Sequence, residues 1–265
     1  AARLGQAPGA KPALVLGLYY GGTGLGIIAS ALIVPPLAWP GAWVALAVAA
    51  LLANAVMARG TRSLAAAPAA APARGEGFRA RDFAFGLLGY LMFGLGYIGY
   101  MTFIVTLLRE QGVGGAVIVA FYVLLGAGVI ASSWLWAPLL QRYRGGQPLA
   151  VLDALLAVAT LLPVASAHPV AVFASGALFG AVFLSVVAST TVLVRHNLPP
   201  AAWPAGIAAF TIVFAGGQIV GPVLVGWVAD GPGGLVRGLA LSAGVLALGA
   251  LLASRQRALP NAPAH

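Results

Sequence analysis

The stretch YYGGTGLGIIASALIVPP, Tyr19 to Pro36, admits two readings, and the choice between them sets the fold. Gly22-x-Gly24-x-Gly26 has the flavour of a phosphate loop, yet it lies inside a long apolar run. A dinucleotide loop needs G-x-G-x-x-G between a strand and a helix, with an acid about twenty residues further on. Here the glycine spacing differs, and no acid occurs before Glu76. Within an apolar helix the same glycines make packing faces. Gly17 and Gly21 stand four apart, as do Gly22, Gly26 and Ser30, and small residues at that spacing let helix backbones approach closely. Gly176 with Gly180, and Gly217 with Gly221, repeat the pattern. The glycines are therefore read as helix contacts, not as a phosphate cradle.

The rest of the chain agrees. Hydrophobic residues make up 61% and charged residues 7%, with a mean hydropathy of +0.99; a soluble domain carries about a quarter charged residues. Eight apolar segments can be marked, at Pro12–Val34, Gly41–Met57, Phe83–Leu108, Gly115–Leu140, Pro148–Ala167, Pro169–Val194, Ala205–Ala229 and Leu235–Ala253. Most are long enough to cross a hydrocarbon core of about 30 Å. Barrel strands would alternate with polar residues, so helices are expected and the fold class is an all-α polytopic membrane protein. Cysteine is absent, which excludes thiol catalysis, a disulfide framework and cysteine-based metal sites. No metal or cofactor is expected.

The net charge of +9 does not point to nucleic acid, because the cations fall between apolar runs and are not clustered with stacking aromatics. It points to topology. All but Arg109 and Arg237 of the 14 Lys and Arg residues fall on one side if both termini share that side, and the basic side is read as cytoplasmic. The expected location is a bacterial inner membrane, with cytoplasmic termini. An Ala/Pro/Arg-rich linker, residues 58–82, separates two apolar segments (1–57) from six (83–265).

An internal repeat accounts for this lopsided division. YGGTGLGIIAS (Tyr20 to Ser30) aligns with AGGQIVGPVLV (Ala215 to Val225), matching Gly21, Gly22 and Gly26 to Gly216, Gly217 and Gly221. Each is followed by a second apolar run ending in arginines, ARGTR or SRQR. Segments one and two thus copy segments seven and eight. With no initiator Met, four further helices are expected before Ala1.

These features resemble the major facilitator superfamily, in its YbfB-like branch. GLLGYLMFGLGYIGYMTFIVTLLREQG (Gly86 to Gly112) is similar to that branch's seventh helix, the opening stretch to its fifth, and AGGQIVGPVLVGWVAD to its eleventh. The resemblance spans nearly the whole chain, as helices five to twelve of a twelve-helix fold built from two six-helix bundles. It implies secondary transport of a small solute by alternating access, usually coupled to protons, by a protein that is monomeric at full length. One departure is that APLLQRYRGG (Ala137 to Gly146) keeps Arg142 but has Gln141 where the family's loop carries an acid.

Candidate solute-binding residues lie near the middle of their segments, where such transporters bind. Gln218 offers an amide; Tyr97 and Tyr100, one turn apart on one face, offer rings with hydroxyls; Thr23, Tyr122 and Ser185 are weaker cases. Each has a packing alternative, because polar side chains also fasten helices together. Asp153 is the acid set well inside an apolar run, about 7 Å from its helix start at 1.5 Å per residue. A latch with Arg142, Arg144 or Arg195 is favoured over proton carriage. Pro222 is expected to kink its helix beside Gln218. A membrane enzyme would want an intramembrane His/Asp/Glu or Ser-base cluster, which the sequence lacks, so no enzymatic activity is expected. The alternative to a transporter is a truncated, non-transporting membrane protein that needs a partner chain. Either way the partners are the lipid bilayer and, for the transporter, a small solute and protons.

Overall fold

A computed structural model describes residues 12–61 and 78–260. It contains α1 (Pro12–Ile33), α2 (Trp39–Thr61), α3 (Ala84–Glu110), α4 (Gly115–Leu135), α5 (Ala137–Arg142), α6 (Gln147–Ala165), α7 (Pro169–Asn197), α8 (Trp203–Ala229) and α9 (Gly234–Ser254). Among the described residues there is no strand. Among the described residues seven helices are long and apolar enough to cross a membrane, and the described apolar part of α1 runs Gly21–Ile33. The expected class, a polytopic α-helical membrane protein, is the one observed. The linker arginines Arg62 and Arg74 and the first eleven residues lie outside the described residues.

α3 is the hub, packed against α8 on one side and α9 on the other; α9 lies on α6, α6 on α7, α7 on α4, and α1 on α4. Lipid gives apolar side chains no reason to prefer one another, so close backbone contact has to hold such a bundle. Glycines supply it at several of the crossings. A Cβ on Gly128 would come 2.8 Å from the Ala181 nitrogen, and one on Gly180 would overlap the Leu125 carbonyl, so α4 and α7 touch backbone to backbone. Gly94 and Gly217 do the same for α3 and α8, and Gly89 and Gly249 for α3 and α9.

On α1 the packed glycine is Gly24, which faces the Gly126 carbonyl of α4, while Gly22 and Gly26 meet nothing within 4 Å. The α4 contact takes the Gly24 side of α1 together with Ile28, and Gly22 and Gly26 point elsewhere. α2 presents Trp43, Val44, Val48, Leu51, Leu52 and Val56 outward.

One expected segment is divided, and two helices run on through interior prolines. The expected fourth segment, Gly115–Leu140, breaks at Trp136, and α5 turns away with Pro138 in its first turn. The Trp136 indole donates to the Ala181 carbonyl at 2.7 Å and fixes the corner. α6 carries Pro163, which has no donor for the Ala159 carbonyl one turn earlier. The Ser175 hydroxyl of α7 fills that gap at 2.6 Å. α8 continues unbroken through Pro222 to Ala229, although the proline ring cannot donate to the Gln218 carbonyl.

The glycine contacts divide into filled and open positions, and substitution separates them. Gly180→Ala should destabilise the purified protein by about 1–3 kcal/mol, the usual cost of overpacking. Gly216→Ala should leave it unchanged, since a Cβ there meets nothing within 4 Å. Thermal unfolding in detergent, followed by near-UV circular dichroism, checks both; equal effects would refute the backbone-contact account.

Candidate functional site

Residues Tyr90, Phe93, Tyr97 and Tyr100 follow one another at helical spacing, so α3 presents them as one aromatic stripe. Phe210, Phe214 and Gln218 make the matching stripe on α8, and Phe179 and Phe183 the one on α7. The stripes meet as a near-parallel stack: Phe93 and Tyr97 have centroids 4.7 Å apart, Phe93 and Phe214 5.4 Å, Tyr97 and Phe214 5.6 Å, and Tyr97 and Phe183 6.2 Å. Stacked rings at such distances add to the area they bury and hold each other's orientation.

Gln218 stands at the edge of this stack. Its Nε2 donates to the Tyr97 hydroxyl. Gln218 is half-buried and Tyr97 is 8% exposed, so the pair is reachable at its rim and supported from behind. The amide oxygen of Gln218 and a lone pair of the hydroxyl remain for a further partner. Of the residues singled out from sequence, these two are the ones the fold brings into direct contact.

Tyr100 is placed differently from its neighbour. It is fully buried, its ring stacks on Phe179 at 4.1 Å, and its hydroxyl is 2.6 Å from the Ser175 oxygen. Ser175 spends its proton on the Ala159 carbonyl, so Tyr100 is the donor to Ser175. The chain Tyr100–Ser175–Ala159 repairs the backbone bond that Pro163 removes, and it ties α3, α7 and α6 together. Ser185 is likewise buried, donating to the Ser132 carbonyl of α4 at 3.2 Å. Tyr122 is half-buried with its ring edge-on to Phe121 at 5.3 Å, and Thr23 is exposed on α1.

Asp153 is fully buried, and neither carboxyl oxygen has a hydrogen-bond partner. Its Oδ2 faces α9, where a Cβ on Gly249 would lie 3.1 Å away. The expected latch with Arg142, Arg144 or Arg195 is not seen: among the described residues no ion pair or hydrogen bond reaches the Asp153 carboxyl. Arg142 is exposed and lies over the Tyr143 ring at 5.7 Å, and Arg195 lies over the Trp203 ring at 4.8 Å. Arg144 contributes its backbone carbonyl, which accepts from Asn197 Nδ2 at 2.8 Å. Among the described residues the ion pair present is Arg81 with Asp82, at 3.7 Å.

Two amides that the sequence reading passed over hold the arginine-rich end instead. Gln256 accepts from the Gly86 N–H at 3.0 Å and donates to the Asp82 carbonyl at 3.0 Å, joining the tail after α9 to the start of α3. Its own backbone carbonyl takes the Gly146 N–H at 2.9 Å. Asn197 donates to Arg144 and accepts from the Leu259 N–H at 2.7 Å. The available signal was a neutral amide set among arginines at a helix end, in SRQR and VRHN.

No group of three or more His, Cys, Asp or Glu residues that would hold a metal occurs among the described residues. A family model described as "Uncharacterised MFS-type transporter YbfB" matches residues 2–254. No curated protein matches the chain.

The amide clasp generates its own expectation. Gln256→Ala leaves the Gly86 N–H and the Asp82 carbonyl without partners, at a cost of about 1–3 kcal/mol. The tail after Ser254 should then become several-fold more susceptible to limited proteolysis, while Arg142→Ala, with its exposed side chain, should leave the cleavage rate unchanged.

Proposed function

This chain belongs to the YbfB-like family of MFS-type transporters, and on that premise we propose that it moves a small, uncharged solute across the membrane by alternating access, with proton coupling and no enzymatic step. The observation that carries the solute site is the Tyr97–Gln218 pair, reachable at its rim and backed by a stack of rings. A planar or amphipathic molecule with one or two polar groups matches such a surface: rings stack on the aromatic faces, and the free amide oxygen and hydroxyl lone pair take its polar groups. No charged side chain belongs to the stack, which disfavours ionic solutes.

Tyr100 and Ser185 have their hydroxyls engaged between helices, so in this reading they shape the site without touching the solute. Thr23, on α1 of the other bundle, and Tyr122, on α4 of the same bundle, would line the approach. Asp153 is proposed as the coupling residue: it is a buried carboxyl with no ion-pair or hydrogen-bond partner among the described residues, and intramembrane acids mark ion or proton pathways. Arg142 and Arg144 are assigned to the membrane surface.

In the same reading α1 and α2 close one six-helix bundle, and residues 83–265 form the second, after a cytoplasmic linker. The open Gly22 and Gly26 support this, since their repeat partners Gly217 and Gly221 are packed against Leu91 and Leu95 of α3. The arginine-rich face and both termini are cytoplasmic, in a bacterial inner membrane, and the protein works as a monomer.

The test is reconstitution of the full-length protein in proteoliposomes with an imposed pH gradient and a panel of uncharged aromatic and aliphatic solutes. A transported solute should accumulate against its gradient only while the pH gradient lasts. Gln218→Ala should raise the half-saturating concentration about fivefold to tenfold, the worth of one hydrogen bond. Asp153→Asn should retain exchange of solute for solute but lose accumulation. Absence of flux with every solute would favour a non-transporting, partner-dependent protein.

A further inference from the structure

The Tyr97–Gln218 pair has a defined hydrogen-bond polarity. Gln218 Nε2 is the donor and the Tyr97 oxygen the acceptor, so the tyrosine proton is left over, and no group among the described residues receives it. Gln218 Oε1 has no partner among them either. It is not sealed inside the protein, as the unpartnered oxygens of Asp153 and Thr160 are, and stands open at the rim of the stack.

The backbone adds a second acceptor at the same place. Residue 222 is proline, so the Gln218 carbonyl lacks the N–H that would close its helix bond, and the ring crowds that carbonyl away from the axis. No side chain and no other helix donates to it among the described residues. Pro222 stands one turn beyond Gln218 on nearly the same face of α8, so the freed carbonyl opens beside the amide side chain. That face is half-buried, whereas the neighbouring Gly217 and Gly221 are packed on α3.

The pair thus presents one donor and two acceptors, all uncharged. An ether, ketone or tertiary amide would leave both acceptors bare, and a single hydroxyl would leave one, each at a cost in affinity. A primary carboxamide has one carbonyl and two N–H bonds and meets all three groups. Conjugated to a ring it is planar, and the ring can continue the stack of Phe93, Tyr97 and Phe214. We infer that this pair binds an uncharged aromatic primary carboxamide. The carbonyl accepts from the Tyr97 hydroxyl, and the two N–H bonds go to Gln218 Oε1 and the Gln218 backbone carbonyl. Pro222 is then a specificity-determining residue, because it withholds the helix bond that would occupy that carbonyl. The inference rests on the reading of this pair as the solute site and names the class of solute.

Equilibrium binding of radiolabelled benzamide to the full-length protein in nanodiscs tests it, with N-methylbenzamide and N,N-dimethylbenzamide as competitors. Ring and carbonyl stay constant along this series while the donors fall from two to none. Each lost donor should weaken binding about fivefold, so benzamide should bind about 25-fold more tightly than its dimethyl derivative. Gln218→Ala removes one acceptor, and Pro222→Ala returns a helix N–H to the other, so each variant should cut that ratio about fivefold. A ratio unchanged in either variant would mean that the methyl groups merely clash, and would overturn the inference. So would absence of benzamide binding, equal binding of the three amides, or preference for the dimethyl derivative, which would mean that Gln218 turns its NH2 outward. Flux in proteoliposomes is read separately. Benzamide bound with this preference but not moved would support the inference and remove the transport reading, whereas flux of solutes without N–H or O–H groups, with no preference for benzamide, would keep transport and overturn the inference.

Discussion

Contact between helix backbones holds this bundle, and the glycines set where it occurs. In water a helix pair is held by the apolar surface it hides, but hydrocarbon surroundings remove that advantage, and what remains is close packing and hydrogen bonding. Gly180 lies so near Leu125, and Gly217 so near Leu91 and Leu95, that neither position has room for a methyl group. Aromatic rings then fill the angles left where such helices diverge. That division is visible on α3, whose Gly89, Gly96 and Gly99 face α9 while Tyr90, Phe93 and Tyr97 face α7 and α8.

Within this frame polar groups act by hydrogen bond and seldom by charge. Pro163 breaks the α6 ladder, and the cost is met by Ser175, which is held in turn by Tyr100. At the arginine-rich end the amides of Gln256 and Asn197 join tail, loop and helix ends, while the guanidinium groups of Arg142 and Arg195 rest on aromatic rings. A neutral amide both donates and accepts, so it satisfies backbone groups of either kind without burying a charge. Arginine only donates, which is why it stays at the rim.

The sequence made the helices and their packing type legible because both are local: run length marks a membrane span, and four-residue spacing marks a small-residue face. Trp136 shows the limit. Pro138 marks the run Gly115–Leu140 for a break, but the corner's geometry depends on a carbonyl of α7 that only the tertiary fold brings near. The same limit explains the site. Gln218 and Tyr97 were legible one by one as midmembrane polar groups, but Tyr100 was not separable from Tyr97 until Ser175 was seen beneath it. Asp153 was expected to meet an arginine because its sequence depth is near theirs. Depth does not give azimuth, and its side chain turns toward Gly249.

That azimuth bears on the transport reading. Asp153 and the Tyr97–Gln218 pair sit on opposite sides of α3: the carboxyl abuts Gly249, whose Cβ position is 3.0 Å from Met92 Cβ, while the pair stacks on the far face. α3 thus carries Tyr97 on one face and, through Met92, borders the Gly249 that Asp153 abuts on the other. In the reading proposed above, a change in charge at Asp153 would alter how α6 and α9 lie, and α9 bears on α3 at Gly89, against Gly249 and Ala253, and at Gly96, against the Ser242 carbonyl and the buried Leu246 side chain. Packed interfaces of this kind move between discrete arrangements more readily than they deform. In that proposed reading, the glycine face of α3 is one mechanical route from the buried carboxyl to the aromatic face.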